Sequence, residues 1–187
     1  MSDRPRPEDL AELGESTTNV ANAWAGANEY LSRGLVEWTR RQITDNRAHA
    51  VRAALAACEL VAPQFPNEPV EGLAPKKYVD DMIAAIKRWL ADPSKENTQT
   101  VRSSLDVTRE AHAWQRDQDV APYWIVEAVD HTCLAVWSGE RASYIVPMDF
   151  ATCGARAVAC VLHTLIDMGE TSHRAAERVV DVVQKTR

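Results

Sequence analysis

Residues 123–137 read Tyr123-Trp124-Ile125-Val126-Glu127-Ala128-Val129-Asp130-His131-Thr132-Cys133-Leu134-Ala135-Val136-Trp137, between Pro122 and Ser138-Gly139. Proline suits the first turn of a helix, where its missing N–H would have no partner, and the run that follows is apolar on nearly every face. A surface helix carries one apolar stripe, so a helix apolar all round belongs at the centre of a bundle. Phe150 to Met168 repeats that character after Pro147 and stops at Gly169-Glu170-Thr171, which also supplies the cap of a last helix. These two segments are expected to form a central pair.

Working outward, the other segments read as amphipathic helices. The last has the stripe Ala176, Val179, Val180 and Val183. From Pro75, the residues Val79, Met82, Ile83, Ile86, Trp89 and Leu90 follow the i, i+3, i+4, i+7 rule, with Asp80, Asp81, Lys87 and Arg88 on the opposite side. Thr44-Asp45-Asn46 offers capping side chains to a helix whose face is Val51, Ala54, Leu55, Cys58 and Val61, closed by Pro63. Prolines 63, 66, 69 and 75 make the stretch between these two helices extended connecting chain. Asp92-Pro93-Ser94 reads as a turn and cap before a polar helix over about 94–117, facing inward through Val101, Leu105, Thr108 and His112. Val20, Trp24, Ala27 and Leu31 predict a helix from Thr18 to Arg33 with Gly34 as its C-terminal cap, and a shorter helix is expected over Leu35 to Ile43.

Residues 1–16 form a charged, Pro-rich segment expected to be disordered, apart from a short helix in Glu8 to Leu13 ended by Gly14. Residues 17–187 are expected to be one helical domain. Ser143-Tyr144-Ile145-Val146 is the sole strand-like tetrad, too short to carry a fold. The class is therefore all-α, a compact antiparallel bundle of about six to eight helices.

Composition bounds the function. At 187 residues, with 45% hydrophobic and 26% charged residues, the chain can bury a core without staples. Its apolar runs stop short of a membrane span and its first residues lack a secretory signal, so a cytoplasmic location with no membrane partner is expected. The four cysteines, Cys58, Cys133, Cys153 and Cys160, lie in apolar helical patterns without CxxC spacing and read as reduced, buried thiols. A net charge of -6 with scattered basic pairs argues against nucleic-acid binding. Residues 104–131 carry Asp106, Glu110, Asp117, Asp119, Glu127 and Asp130 against Arg109 and Arg116, so a basic protein is the natural electrostatic partner.

Two sets of candidate residues follow. For partner binding they are the acids Asp106, Glu110, Asp117 and Asp119, with Trp38 and Trp114 as anchors, since these two tryptophans fall in polar surroundings. For a metal the constellation is His112, Glu127, Asp130, His131 and Cys133 with Cys160, His163 and Asp167. Its i, i+3 and i, i+4 pairs could converge, yet chance produces such spacings in helical chains and no HExxH or CxxC occurs. No cofactor is expected, no nucleophile motif or Gly-rich phosphate loop is present, and no catalytic residue is assigned.

The run Arg47 to Phe65, with its pattern Ala56-Ala57-Cys58-Glu59-x-Val61-x-Pro63-x-Phe65, is followed by a proline and a helix ending Ile83-Ala84-Ala85-Ile86-Lys87-Arg88-Trp89. With Ala111-His112-Ala113 and Ala155-Arg156-Ala157-Val158-Ala159, it resembles the alanine-rich helical immunity proteins of bacterial polymorphic toxin systems. Asp130-His131-Thr132-Cys133 and Cys153 interrupt the histidine-containing alanine segments of that family. The resemblance spans residues 47–162 and implies a non-enzymatic cytosolic inhibitor that occludes a partner toxin, with no catalytic residues to carry over. Two other readings stand beside it: a metal-dependent helical-bundle enzyme using His112, His131 and His163, and a self-associating scaffold with Trp38 or Trp114 in a homodimer face.

Overall fold

Side-chain caps fix where the helices begin. The Ser32 hydroxyl accepts the Leu35 N–H at 3.2 Å and opens α1, Arg33–Gln42; the Asn46 carboxamide accepts from Ala48 and His49 and opens α2, Arg47–Val61. A 3-10 turn, Ala62–Gln64, carries Pro63 directly after α2. Pro75 begins α3, Pro75–Ala91, and Ser94 accepts from Asn97 at the start of α4, residues 95–104. The central helix α5 is Tyr123–Trp137. Asp149 caps α6, Phe150–Asp167, and Thr171 caps α7, Ser172–Lys185. The computed structural model describes residues 4–6, 9–10, 17–22, 27–43, 46–65, 75–104, 123–138 and 148–187.

The end of α6 shows why Gly169 stops it. Gly169 has φ +92°, its N–H bonds the Ile166 carbonyl at 2.8 Å, and the Glu170 N–H bonds the Leu165 carbonyl at 3.0 Å. That pair of bonds satisfies carbonyls the helix would leave open, and a left-handed residue makes it without steric cost only when it lacks a Cβ.

The architecture is an all-α single-domain bundle around α5 and α6. Residues 125–137 are buried save for Asp130, and residues 153–165 are buried without interruption, as the all-round apolar patterns require. The pair is antiparallel: Trp124 stands against His163 and His131 against Arg156. α2 packs on both central helices, α1 and α7 on α6, and α3 on α5. Helix α6 is long and apolar enough to cross a membrane by length and composition, but 72% of it is buried within the protein, which accounts for its apolarity. Gly154 lets α2 approach α6 closely, because a Cβ there would lie 3.0 Å from the Ala50 carbonyl oxygen.

One expected helix is replaced by strands. The stretch assigned to a helix from Thr18 to Arg33 is an antiparallel pair of strands, β1 Thr17–Asn22 and β2 Ala27–Ser32, in register from Thr17 opposite Ser32 to Asn22 opposite Ala27. Thr17, Thr18 and Val20 are β-branched and stiff at χ1. Asn19, Asn22 and Asn28 compete with helical backbone bonds, so local preference runs against the helical spacing of four apolar residues. Gly34 accordingly caps nothing: it sits in the first turn of α1, which follows β2 directly. The tetrad Ser143 to Val146 and the inward positions Leu105, Thr108 and His112 lie outside the described residues, while Val101 is fully buried as expected.

At the other end of the chain order, Leu10 is 3% exposed and belongs to the main core. Arg4 pairs with Asp181 of α7 at 2.8 Å.

Candidate functional site

Ionisable side chains buried between α5 and α6 are the unusual feature of the interior. Glu127, His131, Arg156 and His163 are each at least nine-tenths buried, although ionisable groups are strongly disfavoured away from water. The antiparallel pairing sets them along one seam. Arg156 Nε lies 3.2 Å from His131 Nε2, and Glu127 Oε2 lies 3.7 Å from the same nitrogen. A guanidinium only donates, so His131 Nε2 is the acceptor in this contact. The lone pair that a metal ion would need is thus engaged by a fixed cation.

His163 stacks on Trp124 with ring centroids 5.0 Å apart. Burial pushes its pKa down to about 4, so it is neutral at neutral pH. Cys160, one turn before it, is fully buried, whereas Asp167, one turn after it, is exposed. Of the metal candidates, the structure brings together Glu127 and His131; among the described residues no group of three His, Cys, Asp or Glu side chains is placed to hold a metal ion. His112 lies outside the described residues.

All four thiols are free and buried, as their apolar settings predicted. The Cys58 sulfur lies 3.4 Å from the Thr132 hydroxyl, which itself donates to the Ala128 carbonyl at 2.8 Å, leaving the thiol as donor. Burial pushes the thiols of Cys58 and Cys153 up to about 12 and that of Cys133 well above its ordinary value, the reverse of what an activated nucleophile needs.

The partner-binding candidates Asp106, Glu110, Trp114, Asp117 and Asp119 lie outside the described residues. Trp38 is corrected. It is 5% exposed and packs in the main core, because its ring faces inward from α1 while Glu37, Arg40 and Arg41 face water. A surface cleft of about 610 Å³ lies instead beside the C-terminal end of α1, lined by Glu37, Arg40, Arg41, Ile43, Asp149, Phe150 and Ala151. Arg40 bridges it to Asp149 at 3.3 Å, and the remaining Arg41 and Glu37 balance in charge.

Arg156 belongs to no ligand or catalytic motif in the sequence. Its signal was present: a lone cation in the middle of an apolar helix must find an acceptor, and the other apolar helix carries Glu127 and His131. The chain matches no known family, no curated protein and no solved structure.

Proposed function

We propose that the protein is a non-enzymatic, cytosolic protein-binding module, an immunity-type inhibitor that occludes a basic partner toxin. The observation that carries this reading is the state of its reactive groups. The thiols are buried, with those of Cys58, Cys133 and Cys153 held protonated by burial, His163 is neutral, and His131 accepts from Arg156, which supports a role carried by the surface. A net charge of -6, with Asp106, Glu110, Asp117 and Asp119 in a stretch countered by Arg109 and Arg116, supports attraction of a positively charged partner.

The test is capture of the partner from the source cells, followed by co-expression of the two proteins and by association kinetics. Co-expression should relieve the toxicity of the partner. Reversing Asp106, Glu110, Asp117 and Asp119 to lysine should slow association about tenfold or more at low salt, with a smaller change in dissociation. A rate unmoved by charge reversal and by salt would remove the acidic stretch from the interface. A stoichiometric transition metal lost together with an enzymatic activity in His131→Ala would replace the reading with that of a metal-dependent enzyme.

A further inference from the structure

We draw no further inference here: the strongest candidate, the cleft of about 610 Å³ between the C-terminal end of α1 and the start of α6, combines the apolar Ile43, Phe150 and Ala151 with an Arg40 that already pairs with Asp149, and nothing in the structure shows what covers it.

Discussion

Glu127 and His131 stand four residues apart on α5, and so do Lys76 and Asp80, and Lys77 and Asp81, on α3. The spacing is the same, but the settings differ. On α3 the pairs lie on the outward side, where water screens them, and keep one face of an amphipathic helix soluble. On α5 the pair is buried beside Arg156, where the desolvation of each group must be offset by its neighbours. The comparison teaches that i, i+4 pairs of ionisable residues gain their meaning from the apolar residues around them. In a polar helix they are solvation; in an apolar one they are a commitment to a particular partner helix.

The comparison can be pushed hardest from the buried side of α3. Ile83 is 8% exposed in the core stripe, and Ile83→Asp should cost about 4 kcal/mol or more, enough to unfold a domain of ordinary stability, because it buries a carboxylate with no partner. A chemical-denaturation midpoint equal to the parent's would show that the stripe faces elsewhere. On the seam, Arg156→Leu should cost about 1–3 kcal/mol, since it removes a buried hydrogen-bond donor from His131 Nε2. A stability change below about 1 kcal/mol would put that seam on a par with the exposed pairs of α3.

Acid offers a third test. His163 titrates at about 4 in the folded chain against an ordinary 6.5, so between those values the unfolded chain binds more protons. Its contribution to stability is therefore whole above pH 6.5 and is lost as pH falls towards 4, amounting to about 2 kcal/mol by pH 5. His49, lowered first by burial and then by Arg52 and Arg187, acts in the same direction. Urea titrations of the parent and His163→Gln between pH 7.5 and 5 should diverge in slope, and parallel curves would mean that His163 titrates normally. The smallest effect belongs to Lys87→Ala. It removes an exposed pair with Glu59 at 2.6 Å and should change stability by less than about 1 kcal/mol in the same titration.

Much of the bundle was legible because its punctuation is chemical. Pro75, Asn46, Thr171 and Gly169 act where their side chains or backbone freedom predict, and α5 was recognisable from apolarity alone. The hairpin was not legible: four apolar residues matched a helical period, and the opposing evidence lay in β-branched residues and asparagines whose preferences are individually small. Trp38 was misread because its polar neighbours in sequence are not its neighbours in space. Glu127, His131 and His163 were noticed as ligand-like, but pairwise spacing on one helix cannot show that Arg156 arrives from the other.

Gly154 fixes something larger than its own position. With the Ala50 carbonyl where a Cβ would be in near collision, and with Ala50, Ala53, Ala54 and Ala57 fully buried along α2, the gap between the two helix axes is set by backbone and methyl groups. Substitution along that line is then a one-sided affair, open to shrinkage and closed to growth. The alanine content of these helices is accordingly a record of the distance between two axes. Any chain built to that distance would converge on a similar wording in this stretch, whether or not it shared an ancestor or a task.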